Sequence, residues 1–109
     1  MQFKVTDATN WVLGESGDAC SVTCSKSGRT CNAAEQSKIT TEELMREAME
    51  KAGESCSGFV LPRGYPGAPA RNERDGKCAP IEKGTNSVCD KNDLNWNQAL
   101  CYCEGSKID

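Results

Sequence analysis

Eight cysteines are the residues of this 109-residue chain whose type and spacing point most directly to chemistry: Cys20, Cys24, Cys31, Cys56, Cys78, Cys89, Cys101 and Cys103. Thiolates hold metals, pass electrons or close disulfides. Zinc sites repeat closely spaced cysteine pairs or mix them with histidine. Here only Cys20 and Cys24 have such a spacing, and the chain contains no histidine. Redox-active pairs favour C-x-x-C, and none is present. The expectation is four structural disulfides and no metal site. The missing histidine also removes the commonest general base, and with it any Ser-His or Cys-His nucleophile pair. Sixteen carboxylates remain, but most fall on one polar helix face or in loops. None sits in the aromatic or glycine-rich setting that would mark a paired-carboxylate hydrolase. Glycine-rich phosphate motifs are absent. These patterns predict no catalytic residue and no cofactor.

Cys20-Ser-Val-Thr-Cys24 finds its complement in Cys101-Tyr-Cys103. On a helix the C-x-x-x-C spacing sets both sulfurs on one face, roughly 6 Å apart along the axis. On a strand the C-x-C spacing does the same at roughly 6.7 Å. The near match predicts a helix riveted to a strand by Cys20–Cys101 and Cys24–Cys103. The remaining four are expected to pair in sequence order, Cys31–Cys56 and Cys78–Cys89.

Composition agrees with a stapled domain. The aromatic residues are few: Phe3, Trp11, Phe59, Tyr65, Trp96 and Tyr102. Glycine and charge occupy much of the remainder, so covalent closure must supplement a modest core. Dense, even-numbered cysteines predict an oxidising compartment: extracellular, periplasmic or an organelle lumen, the thylakoid lumen included. A net charge of −3 with no basic run argues against nucleic acid or anionic membrane as partner. No apolar run approaches the ~20 residues of a transmembrane helix. Met1 to Asp7 lacks the apolar centre of a signal peptide, so the chain reads as a mature form or an excised domain. None of the seven asparagines opens an N-x-[ST] sequon, and no N-glycan is expected.

The positioning elements follow from periodicity. Phe3–Thr6 alternates as a short strand, and Asn10–Gly14 reads as another, with Trp11 either in the core or at an interface. Ser16 or Asp18 is expected to cap a helix over about 18–27, which Gly28 ends. Asn32–Ser37 reads as a polar connection. Thr40-Thr-Glu-Glu43 fits a capping box for a helix over about 41–52 that stops at Gly53. Leu44, Met45, Ala48, Met49 and Ala52 form its inward stripe. Glu42/Arg46, Arg46/Glu50 and Glu47/Lys51 are its candidate ion pairs. Cys56–Leu61 is a further strand candidate. The stretch from Pro62 through Gly76 carries three prolines and three glycines and is expected to be a long surface loop whose Tyr65 packs back on the body. Asp75-Gly76 and Gly84-Thr-Asn86 are turn signals. Leu100–Cys103 closes as the last strand. The predicted fold is a small disulfide-rich α+β domain, two short helices against a small antiparallel sheet. Its boundaries are an N-terminal arm 1–10, a stapled domain 11–103 and a tail 104–109.

The string from Trp11 through Cys24, then Gly28, Cys31, Cys56, Cys78, Cys89 and the Cys101-Tyr-Cys103 ending, resembles the eight-cysteine C-terminal module of α-1,6-mannosylglycoprotein β-1,6-N-acetylglucosaminyltransferases. Similar modules occur in secretory proteins of algae and other protists. The resemblance spans 11–103, with all eight cysteines in order. Where the family has Arg two residues before its C-x-C and Pro inside it, this chain has Ala99 and Tyr102. The sugar-nucleotide-binding and catalytic part of those enzymes has no counterpart here. The resemblance therefore implies a disulfide module of the secretory route and carries over cysteine positions only.

The functional expectation is a non-catalytic binding or structural module that docks on a larger protein or assembly, or on a glycan. Trp11, Tyr65, Pro66, Pro69 and Trp96 are the candidate contacts, Pro66-x-x-Pro69 being the kind of segment a proline-reading groove accepts. An accessory module of a glycosyltransferase and a secreted effector or inhibitor are the alternatives. The Cys20–Cys101 bridge would close a loop of about eighty residues, contributing roughly 4–5 kcal/mol in the chain-entropy model. Full reduction is thus expected to abolish the cooperative thermal transition. A reduced, alkylated sample with unchanged far-UV circular dichroism and melting temperature would contradict a disulfide-dependent fold.

Overall fold

The computed structural model describes residues 10–92 and 94–105. The expected Phe3–Thr6 strand lies outside them, as do most of the N-terminal arm and residues 106–109 of the expected tail. One strand organises what is described. It is β6, Asn97–Glu104, and it pairs with three other strands. β1 (Trp11–Leu13) lies antiparallel along one edge, and β2 (Thr30–Cys31) and β4 (Ala70–Asn72) lie antiparallel along the other. The sheet continues through β5 (Lys77–Ala79) to β3 (Gly58–Phe59). The β3–β5 pairing is parallel, so the sheet is mixed rather than wholly antiparallel.

Side chains alternate across a strand, and β6 uses this to divide the interior in two. Ala99, Cys101 and Cys103 join Cys20 and Cys24 in one buried cluster. Leu100 faces the other, with Trp11, Ile39, Met45, Ala48, Met49 and Cys78. Helix α1 (Cys20–Ser25) covers the first cluster. Helix α3 (Glu42–Lys51) covers the second, with Trp11 meeting Tyr102 edge to face at 5.0 Å. The methionines of α3 are therefore core, as the packing reading of its stripe requires, while Leu44 remains partly exposed.

Local chemistry explains the ends of the helices. Both α1 and α3 stop in the same way. The Gly28 and Gly53 backbones turn to φ 71° and 76°, and the amides just beyond, Arg29 and Glu54, bond back to the Cys24 and Met49 carbonyls at 2.9 Å. The starts depart from expectation. Thr41, not Thr40, caps α3, its Oγ1 accepting the Leu44 N–H at 3.1 Å. That puts Leu44 rather than Glu43 at the box position, so no reciprocal carboxylate bond forms. Of the three expected ion pairs on this helix only Glu42–Arg46 is present, at 3.5 Å. The Arg46 guanidinium also lies 5.0 Å from the centre of the Phe59 ring. Neither Ser16 nor Asp18 caps α1. Ala19 occupies the cap position, and Asp18 instead pairs with Lys26 at 3.0 Å. A third helix, α2 (Ala33–Gln36), fills the expected polar connection, capped by Asn32 Oδ1 on the Glu35 N–H.

Four disulfides use all eight cysteines. Cys20–Cys101 and Cys24–Cys103 have Cα separations of 5.4 and 5.2 Å and follow the spacing match. The other two bridges are Cys31–Cys89 and Cys56–Cys78, which corrects the sequential pairing. Sheet pairing explains the second of these. Parallel β3 beside β5 sets Phe59 opposite Cys78, and Cys56 lies just ahead of it. Cys89 is drawn elsewhere, because its carbonyl accepts the Ser21 N–H of α1 at 2.8 Å.

The proline-rich stretch is not a surface loop along its whole length. Gly67, Ala68, Pro69 and Ala70 are buried. The Pro69 carbonyl accepts the Leu100 N–H at 2.8 Å, which draws the chain into β4. Glu104, expected in the tail, is the last residue of β6, paired with Thr30.

Gly14 shows how close α1 lies to β1. Its amide bonds the Ala99 carbonyl at 2.9 Å, and a Cβ built there would collide with Thr23 Oγ1. That hydroxyl is buried without a hydrogen-bond partner. Gly14→Ala is expected to lower the unfolding free energy by about 1–3 kcal/mol through overpacking. Adding Thr23→Ala should restore most of the loss in a urea-denaturation cycle.

Candidate docking face

The stretch Val60–Ala68 carries the candidate site, and backbone bonds hold it from both sides. Val60 N–H donates to the Cys78 carbonyl and Arg63 N–H to the Pro80 carbonyl, each at 2.9 Å. The Arg63 carbonyl accepts the Glu82 N–H at 2.7 Å. Two residues lie between Val60 and Arg63 but only one between Cys78 and Pro80, so Leu61 and Pro62 bulge outward. Leu61 is consequently 84% exposed, far beyond any other large apolar side chain among the described residues. Val60 beside it is also exposed. Arg63 turns its guanidinium over the Trp96 ring, 5.1 Å from the centre.

A turn follows, closed by the Ala68 N–H on the Tyr65 carbonyl at 2.9 Å, with Pro66 at its second position. The Tyr65 ring folds back over Gly67, where any Cβ would strike it. Asn92 locks this arrangement. Its Nδ2 donates to the Asp18 and Asn97 carbonyls at 3.0 and 2.8 Å, while its Oδ1 accepts from Asn97 Nδ2 at 3.2 Å and the Tyr65 hydroxyl at 3.4 Å. On the neighbouring turn the Pro66 carbonyl accepts the Val88 N–H at 2.9 Å, bringing exposed Val88 alongside.

Of the five residues singled out in the sequence, Tyr65, Pro66 and Trp96 thus gather around one stretch of chain, half-buried. Trp11 and Pro69 do not belong there. Trp11 is 8% exposed within the α3-side core, and Pro69 is fully buried, so neither can meet a partner. Sequence reasoning passed over Val60, Leu61 and Val88. Two apolar residues directly before a proline were the available signal, because Pro62 cannot continue a ladder that would bury them.

Other parts of the surface carry less. A cavity of about 260 Å³ lies between β1 and α1, with Lys26 and Arg29 at its rim. The bond from Lys26 to Asp18, aided by the charges of Asp18 and Glu15, raises the lysine pKa above its usual 10.5. That ammonium is exposed and already paired with Asp18. Among the described residues no group of three His, Cys, Asp or Glu side chains could hold a metal ion, and no helix is long and apolar enough to cross a membrane.

The architecture therefore defines a small α+β domain stapled by four disulfides, which fits an oxidising compartment. No protein-family model and no curated protein matches the sequence.

Asn92→Ala would remove four bonds at once and leave buried Asn97 partly unsatisfied. It is expected to lower unfolding free energy by about 1–3 kcal/mol, measured by urea denaturation of the oxidised protein.

Proposed function

We propose that this protein is a non-catalytic recognition module of an extracellular or lumenal compartment, docking on a larger protein or assembly through Leu61, Arg63, Tyr65, Pro66, Val88 and Trp96. The exposure of Leu61 carries this reading. Among the described residues, a disulfide-stapled domain that buries Met45, Met49, Trp11 and Leu100 leaves one large aliphatic side chain almost wholly in water, beside an arginine stacked on a tryptophan. Aromatic and arginine side chains supply most of the binding energy at protein interfaces, and a rigid, covalently closed scaffold limits the entropy lost on docking. The lack of a histidine in the sequence supports a binding role over catalysis.

The order of the eight cysteines, with their likeness to the glycosyltransferase module, supports one specific setting. In it, the domain is an accessory module of a secretory-pathway glycosyltransferase. The glycan and the secreted effector readings predict no stoichiometric protein partner.

Affinity capture of the oxidised protein from its native source, followed by mass spectrometry, tests the proposal. A partner recovered in fixed ratio by the wild type, and lost with Leu61→Asp or Trp96→Ala at an unchanged melting temperature, is the expected result. Equal recovery by wild type and both variants would reject this face. Recovery of the protein alone would favour a secreted binder.

A further inference from the structure

The four disulfides differ in how solvent reaches them. Cys20, Cys24, Cys101 and Cys103 are at most 3% exposed, so both α1–β6 bridges are closed to an external thiol. Both sulfur-bearing residues of Cys31–Cys89 are half-buried. Cys31 also has a second cysteine beside it. On β2 it stands directly opposite Cys103 of β6 and packs against the cluster of Cys20, Cys24, Cys101 and Cys103. The neighbouring bonds define the kind of pair. Asn32 N–H donates to the Tyr102 carbonyl at 2.9 Å, and Cys103 N–H turns the other way, to Asn10 of the β1 edge, at 2.7 Å. Cys31 and Cys103 are thus a non-hydrogen-bonded antiparallel pair. Such pairs bring their Cα atoms to about 4.5 Å, inside the roughly 4.4–6.8 Å that a disulfide spans.

We infer that Cys31 is the entry point of a thiol–disulfide relay running from Cys89 at the surface to buried Cys24. A dithiol reductant attacks the Cys31–Cys89 bond. It closes to its own disulfide and leaves both cysteines as thiols. The Cys31 thiolate then attacks Cys103 Sγ. The Cys31–Cys103 bond forms, the Cys24–Cys103 bond breaks, and Cys24 leaves as a thiolate that takes up a proton. The second step has no net oxidation or reduction. Its result unclips one of the two rivets of α1 and frees Cys89 in the 80–96 connection, which carries Val88 and Trp96. In that last consequence alone the relay rests on the proposed docking face, which it would loosen under reducing conditions. Cys56–Cys78 has no such neighbour, since Cys78 pairs across the sheet with Phe59 and Arg71. It should open without exchange.

Trypsin separates the species, because Lys26, Arg29, Lys38, Lys83, Lys91 and Lys107 place Cys24, Cys31, Cys89 and Cys103 on different peptides. Native protein is titrated with dithiothreitol until Cys89 first becomes alkylated after an acid quench. The expected product has alkylated Cys24 and Cys89, with peptide 30–38 disulfide-linked to peptide 92–107. Alkylation of Cys31 together with Cys89, with Cys24 still bridged, would overturn the relay. A second arm needs no reductant. Oxidised Cys89→Ser is expected to carry its free thiol on Cys24, and Cys31→Ser/Cys89→Ser to carry none. A free thiol on Cys31 in the single variant would equally refute the inference.

Discussion

Four residues of helix rise almost as far as two residues of strand, and that equality is the constraint on which this fold depends. It lets α1 and β6 be joined at two points without shearing, through Cys20–Cys101 and Cys24–Cys103. Once Cys101 and Cys103 face α1, strand alternation commits Leu100 and Tyr102 to the opposite side. There they meet Trp11 and the buried face of α3. Neither half of the interior is large. Closing long loops covalently restricts the unfolded chain and offsets the shortage of apolar burial that a domain of this size faces.

Around β6 the regular ladders are short, and buried polar side chains complete them. Gln36 is the clearest case. Its Oε1 accepts the Tyr102 N–H at 2.9 Å, and its Nε2 donates to Ser87 Oγ at 2.8 Å. One side chain thereby satisfies a strand amide just beyond the reach of β2 and anchors the 80–96 connection. Asn92 and Asn97 do the same at the other end of β6. Where connections rather than strands pass through the interior, their backbone groups still need partners. The amides of asparagine and glutamine supply both donor and acceptor.

The docking face is assembled from these connections. The bulge at Leu61–Pro62, the Tyr65–Ala68 turn and the 80–96 segment belong to no long strand, yet backbone bonds fix each of them: Val60 to Cys78, Pro66 to Val88 and Leu94 to Asn97. This is the usual division between a rigid scaffold and the segments that meet partners. The half-buried bridge Cys31–Cys89 secures the same connection.

Spacing along the chain determined what depends on local period. The two α1–β6 bridges, the β1 strand, the buried stripe of α3 and the glycine stops at Gly28 and Gly53 all follow from residues a few positions apart. The disulfide-rich α+β class followed from cysteine number and that spacing together. Tertiary structure alone decided the rest. Cys31 meets Cys89, and Cys56 meets Cys78, because parallel pairing of β3 with β5 and the Ser21–Cys89 bond bring distant segments together. Pro69 lies buried although its neighbours are typical of turns, because its carbonyl completes the β6 ladder at Leu100. Trp11 reads equally well as core or contact from sequence, and only the packing of α3 over it makes it core. Leu61 looks like an ordinary strand residue until the extra residue in its stretch turns it out to water. Local period is written in consecutive residues, whereas partner choice across the sheet depends on which segments the folded chain places side by side.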